Sequence, residues 1–234
     1  MEMASVIPRA RHLRLIHPTS RPRVLLADGD VGRRATLGVA LGQRYGVGTA
    51  ATSVEALARA ADGRFDLAVL DAPVLDGALA RLVRLLRRRA AGIKIVVVAA
   101  RRDLAARRQA EVLGVDAVLA RPAPTRVLLD RLATLGGGTP RPPVDANVGR
   151  AIDLMAVDVT TLLDLEALAA ATGGPLTALD WQFRTHVGLG VHEYVMRVRL
   201  AVARLLLLDT QLGVETLAQL LGFADGQELA TMIL

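Results

Sequence analysis

The strongest constraint on the fold is a regular alternation across residues 22–135. Short apolar runs take turns with longer segments whose apolar residues recur at helical spacing. The runs cover residues 23–28, 45–50, 65–71, 94–100 and 116–120, and each suits a strand buried in a sheet. Residues 32–42, VEALARAA after Ser53, the segment holding Leu79, Leu82, Val83 and Leu86, and the segment reaching Leu113 read as helices. Ser53 is the expected cap of the second helix. Thr125 is the expected cap of the fifth, with Leu128, Leu132 and Leu135 facing inward. Five strands alternating with five helices predict an α/β fold, a doubly wound five-stranded parallel sheet.

The alternation stops at GGGTPRPPVDAN, residues 136–147, where glycine and proline replace any apolar period. Residues 136–146 read as a linker. Beyond it every segment reads as a helix, over 147–156, 165–172, 176–187, 192–208 and 214–221. Breaks fall at Gly173 and Gly174, at Gly188 and Gly190, and at Gly213. The long helix aligns Val195, Val198, Val202, Leu205 and Leu206 on one face. Residues 147–234 are therefore expected to form an all-α domain of helix-turn-helix units. Residues 1–21 read as a basic leader without the continuous apolar core of a signal peptide.

Charge divides along the same boundary. Residues 1–144 hold 24 Lys and Arg against 12 Asp and Glu, whereas residues 145–234 hold 5 Arg against 11 acids. The arginine runs at 81–89 and 101–109 carry much of the positive charge and read as solvated faces or as a surface that attracts an acidic partner or nucleic-acid phosphates. Cysteine is absent, which excludes disulfides and thiolate chemistry. The four histidines form no ligand pair, and His186 and His192 read as surface residues. No nucleophile elbow or phosphate-binding glycine loop occurs, so no enzyme is expected. Aromatic residues make up 3% of the chain, too few for a single-strand stacking platform. No apolar run is long enough to span a bilayer, and no membrane partner is expected.

In such a sheet the chemistry sits at the carboxyl ends of the strands, where Asp28, Asp30 and Asp71 are expected to converge and where carboxylates can hold Mg²⁺. The order and spacing of residues 22–135 resemble the receiver domain of bacterial two-component response regulators. The resemblance implies a flavodoxin-like fold and places the phosphoacceptor at Asp71 in DLAVLD. It also marks four departures: Asp28-Gly29 where the family has an acidic pair, Ala99 where it has Thr or Ser, Arg121-Pro122 where it has Lys-Pro, and a short APVLDG loop. Asp28 and Asp71 are the only candidate metal ligands, with no other cofactor expected. A pseudo-receiver that is poorly or not phosphorylated follows, because a guanidinium is not a point ammonium and the metal site lacks an acid.

Residues 146–234 resemble the arabinose-regulator (AraC/XylS) type of DNA-binding domain, two helix-turn-helix motifs joined by a long helix. LDLEALAAATG, LTALDWQF with Gly188, EYVMRVRLAVARLLL and VETLAQLLGF carry the resemblance, in that order. It implies a cytoplasmic bacterial transcription regulator that meets DNA through Thr177, Trp181, Arg184, Arg197, Arg199 and Arg204. Pro175 stands where the family has a Ser cap, Asp180 is expected to repel phosphate, and ADGQELATMIL contains no cation. Measured against the family this domain reads as C-terminally incomplete, with Leu229, Met232, Ile233 and Leu234 uncovered. The expected function is DNA binding. The alternative is a protein-interaction adaptor, docking or self-associating through the receiver helices or these last apolar residues.

Overall fold

The structure is a computed structural model that describes residues 21–75, 77–136, 143–157 and 164–233. Strands β1 (Arg23–Ala27), β2 (Gly46–Ala50), β3 (Leu67–Asp71), β4 (Lys94–Ala100) and β5 (Ala117–Arg121) form one parallel sheet in the order β2-β1-β3-β4-β5. This order defines a doubly wound, flavodoxin-like sheet whose crossover direction reverses between β1 and β3. Helices α1 (Val31–Gly42), α2 (Ser53–Asp62), α3 (Leu79–Arg89), α4 (Leu104–Val112) and α5 (Thr125–Leu135) lie between and after the strands. The expected receiver-like α/β half is thus present.

Strand periodicity sorts the helices onto two faces. Val24, Leu26, Leu67, Val69, Val96 and Val98 point to one face, where Leu37 and Leu41 of α1 and Leu128 and Leu132 of α5 cover them. Their neighbours Leu25, Ala27, Ala68, Leu70, Ile95 and Val97 point to the other, under Ala56 and Ala60 of α2, Leu82 and Leu86 of α3 and Ala110 of α4. Burying each large apolar side chain is worth about 1.5–3 kcal/mol, so a one-residue slip of any strand would be heavily penalised.

The helical half comprises α6 (Ala146–Val157), α7 (Leu165–Thr172), α8 (Leu176–His186), α9 (Val191–Asp209), α10 (Val214–Leu221) and α11 (Gly226–Ile233). Two pairs of consecutive helices joined by short turns, α7–α8 and α10–α11, flank the long α9. The first helix of each pair ends on a glycine in the left-handed region, Gly173 at φ 98° and Gly222 at φ 76°, where a side chain would be strained. Phe183 of α8 packs edge-on against Tyr194 of α9 with ring centres 5.1 Å apart.

Three local expectations change. Thr52, not Ser53, caps α2: its hydroxyl accepts from the Glu55 N–H at 3.2 Å while Glu55 accepts from Ala51 N–H at 2.9 Å. Thr125 is the first residue of α5 rather than its cap, and its hydroxyl instead donates to Asp153 Oδ1 at 2.6 Å. α6 starts at Ala146, one residue before the expected 147, and Val144 ahead of it is already buried in the helical core. Residues 137–142, the expected leader through residue 20, and Leu234 lie outside the described residues.

The two halves share a core. Ala35 and Ala40 of α1 sit in the same apolar cluster as Ile152, Phe183, Tyr194 and Val202. Tyr194, fully buried, donates its hydroxyl to the Thr36 carbonyl at 2.6 Å. Arg44 Nη2 donates to the His186 carbonyl at 2.8 Å. At Gly149 of α6 a Cβ would stand 2.8 Å from the Arg126 Cβ, so glycine permits the close approach of α6 to α5.

Candidate functional site

The acid pocket forms where topology places it, at the carboxyl ends of β1 and β3. Asp28 and Asp71 meet there, 6% and 3% exposed. Asp30 lines the same pocket from the exposed start of α1. Its carboxylate caps α1, accepting from the Arg33 N–H at 2.8 Å, and only its backbone N–H reaches Asp28 Oδ1, at 2.9 Å. The three expected acids thus line one pocket, with Asp28 and Asp71 buried and Asp30 exposed at the helix cap.

Two arginines fill the space around the pair. Arg33 grips both oxygens of Asp28, Nε to Oδ2 at 3.0 Å and Nη2 to Oδ1 at 2.9 Å. Arg121, at the end of β5, forms an ion pair with Asp71 Oδ2 and lies 4.0 Å from Asp28 Oδ1. Burial opposes the charge of Arg33, yet the hydrogen bonds and attraction from Asp28, with Asp30 and Asp71, hold its pKa above the ordinary value. Asp71 moves the other way. Burial and the neighbouring Asp28 charge push its pKa up to about 6, against the pull of Arg121 and Arg33. Its Oδ1 is buried without a hydrogen-bond partner among the described residues. Ala99, fully buried in β4, supplies no hydroxyl to this end of the sheet.

This donor set does not fit a divalent cation. Gly29 offers no carboxylate, one Asp30 oxygen caps α1, the Arg33 guanidinium occupies both Asp28 oxygens, and Arg121 is paired with Asp71. No group of three or more His, Asp or Glu suited to a metal occurs among the described residues. The pocket opens into a cavity of about 560 Å³, walled by Val69, Val98, Leu128 and Ala156 and reaching Thr125 and Asp153.

The α8 surface is built differently. Thr177, Trp181 and Arg184 are all solvent-exposed, Trp181 to 66%. Pro175 precedes α8 without a side-chain cap. Asp180 does not stand free toward solvent as expected. Its Oδ1 accepts from Val191 N–H at 2.9 Å at the start of α9, and its Oδ2 accepts from Arg184 Nε at 2.8 Å, which holds its pKa below the usual carboxylate range. The acids of the second motif are also structural: Asp225 caps α11 through the Glu228 N–H at 2.8 Å, and Glu228 reaches back to the Ala224 N–H at 2.6 Å.

Of the cations on α9, Arg197 pairs with Glu193 at 2.7 Å, and Arg204 Nη2 donates to the Ile233 carbonyl at 3.0 Å. Arg199 is half-buried, and desolvation lowers its pKa. The terminal apolar residues are better covered than expected. Leu229 is fully buried, Ile233 packs against the helical core, and Met232 remains 43% exposed.

Residues 33, 34, 153 and 209 were not expected to matter. Arg34 is 2% exposed; its Nη1 donates to the carbonyls of Asp28 at 2.8 Å and Gly29 at 3.0 Å, and its Nη2 meets Asp209 Oδ2 at 3.1 Å. One guanidinium thus ties the acid-pocket loop to the end of α9. A signal was present in the sequence: two adjacent arginines in the first turn of a helix oppose the macrodipole and call for partners elsewhere.

Among solved structures, about half of the chain is similar to receiver domains. A CheY-like response regulator receiver domain protein from Methanospirillum hungatei JF-1 is 26% identical, with 50% of this chain and 94% of that one covered and a TM-score of 0.45. The non-phosphorylated HemR receiver domain from Leptospira biflexa is 29% identical over 52% of this chain and 98% of its own, also with a TM-score of 0.45. The chemotaxis response regulator CheY4 of Vibrio cholerae is 23% identical over 50% and 99%, with a TM-score of 0.44. No protein-family model and no curated protein matches the chain. The doubly wound, flavodoxin-like fold of the first half rests on its own strand order.

Proposed function

We propose that this protein is a transcription regulator of the response-regulator kind that binds duplex DNA through α8. Its acid pocket is held by its own arginines instead of being switched by phosphorylation. The observation that carries the DNA reading is the outer side of α8. It presents Thr177, Trp181 and Arg184 to solvent as the second helix of a helix-turn-helix, the position that enters the major groove in such motifs. The likeness of residues 146–234 to the arabinose-regulator type supports the same reading.

Trp181 is the only tryptophan, so its fluorescence reports on α8 alone. A duplex selected from a random pool should quench it, and Trp181→Ala should weaken binding to that duplex about tenfold or more, the discrimination of one good base contact. Unchanged fluorescence and affinity would refute the reading. For the pocket, Asp71→Asn should leave DNA binding unchanged, with or without Mg²⁺ and a small phosphodonor. A clear loss of binding would restore a phosphorylation switch.

A second reading, a protein-interaction adaptor, draws on a specific observation. Arg184 and Arg197 are engaged by acids, Arg204 by a carbonyl, and the helical half is acidic overall. Capture of one stoichiometric protein by the full chain, insensitive to nuclease, would favour it.

A further inference from the structure

We infer that the outer face of α3, extended by the start of α4, is a second and sequence-independent binding surface for the phosphate backbone of duplex DNA. It lies on the opposite side of the sheet from the helical half. α3 reads LARLVRLLRRR and contains five arginines and no acid. Leu79, Leu82, Val83 and Leu86 turn inward, and Arg81, Arg84 and Arg88 turn outward at i, i+3 and i+7. These three cations span about 10 Å of helix, the axial reach of about three phosphates along one strand. Arg101 and Arg102, both exposed, follow β4 beside them.

The internal contacts of this face are to carbonyls, and of its arginines Arg87 also faces the Asp116 charge. Arg84 donates to the Ala80 carbonyl, Arg87 to the Leu113 and Gly114 carbonyls, and Arg89 to the Ala61 carbonyl. Among the described residues none of the arginines of α3 or of 101–108 forms an ion pair. The acidic helical half cannot neutralise them within one chain, because α6 and α9 pack on α1 across the sheet.

The face also selects among polyanions. A protein interface is expected to centre on a cluster of apolar or aromatic anchors, whereas α3 exposes no large apolar side chain and the adjoining start of α4 exposes a single one among the described residues, Leu104 at 60%. A membrane surface requires an apolar face to insert, and the one on α3 is spent on the core. An arginine row without stacking aromatics suits a duplex backbone. With α8 on the far side, one chain can hold two duplex segments at once.

The test uses the full chain and random-sequence duplex, with affinity measured between about 50 and 200 mM salt. Replacing Arg81, Arg84 and Arg88 together by Gln should reduce the slope of log affinity against log salt by about 2.7, or 0.9 per lost phosphate contact. It should also abolish capture of a second labelled duplex by protein bound to an immobilised one. The triple Lys variant should keep both properties, separating charge from any loss of fold. An unchanged slope in the Gln variant overturns the proposal. So does competition by phosphatidylglycerol vesicles or polyglutamate as effective, at equal charge, as competition by duplex. Failure of the α8 reading is separable: Trp181→Ala would then have no effect while the salt slope persisted.

Discussion

The two faces of the sheet use arginine in opposite ways. On the α1 and α5 face Arg34 is buried at the junction of the two halves, with its guanidinium divided among two carbonyls and Asp209. On the α3 and α4 face Arg81, Arg84 and Arg88 stand in solvent. The sequence writes both as arginines in an amphipathic helix. The difference comes from what packs outside the helix. α1 is covered by α6 and α9 and has become an interior element, whereas among the described residues nothing packs over the outer side of α3. A charge that would be unremarkable on a surface helix is a structural bolt when a second layer closes over it.

The sharpest way to break this contrast is to remove the bolt. Arg34→Met leaves the buried Asp28 carbonyl without its partner, while the Gly29 carbonyl, on an exposed residue, can turn to water. The Asp209 side chain is 41% exposed, so solvent screens that pair and most of the effect comes from the Asp28 carbonyl. We expect a loss of about 3 kcal/mol, read as a lower urea midpoint. Because the core runs through α1, both halves of the wild-type chain should unfold in one transition. A wild-type midpoint in the variant would show that the junction does not depend on Arg34.

The acid pocket lies between the two faces and should show itself in the pH dependence of stability. Asp71 has a pKa of about 6 in the fold against 3.8 ordinarily. Between these values the folded chain holds a proton that the unfolded chain has released. Stability contributed by this carboxyl is full below about pH 4 and is lost as pH rises through 6, roughly 2–3 kcal/mol in all. Asp71→Asn should flatten that decline in urea titrations across the window. A decline of equal size in the variant would assign the proton to another group.

Much of this was legible beforehand and some was not, for physical reasons. The strands and helices were readable because each buries a periodic apolar stripe, as Leu79, Leu82, Val83 and Leu86 do. Caps were harder, since Thr52 and Ser53 are adjacent and both chemically able. The Glu55 side chain, bonding back to Ala51 N–H, identifies Thr52. Asp71 and Arg121 were placed by strand ends. Arg33, Arg34 and Asp153 were not, because their partners are distant in sequence or hang on one turn of α1. Asp180 looked like a charge hostile to DNA, and it instead accepts from the Val191 N–H at the start of α9.

A milder probe of the covered face is Tyr194→Phe. The buried hydroxyl donates to the Thr36 carbonyl, and burial, with the Asp153 charge, keeps the phenol pKa well above its ordinary value, so it remains a donor at every accessible pH. Its removal should lower stability by about 1–2 kcal/mol without altering the ring packing on Phe183. The loss should not vary with pH between about 5 and 9, far below the ordinary phenol pKa of about 10. A pH-dependent loss would mean that the hydroxyl works through a titrating neighbour.

The smallest effect belongs to the open face. Arg81→Ala and Arg88→Ala remove exposed side chains that form no ion pair among the described residues. Each should change stability by less than about 0.5 kcal/mol in the same urea titration that registers Arg34→Met. Alanine also has the higher helix propensity, which offsets any lost packing of the arginine stems on α3. A near-zero result on this face beside a large one on the other separates arginines that hold the fold from arginines the fold does not need. A loss of more than about 1 kcal/mol at Arg81 or Arg88 would place these side chains in the architecture and weaken the case that they are kept for phosphate.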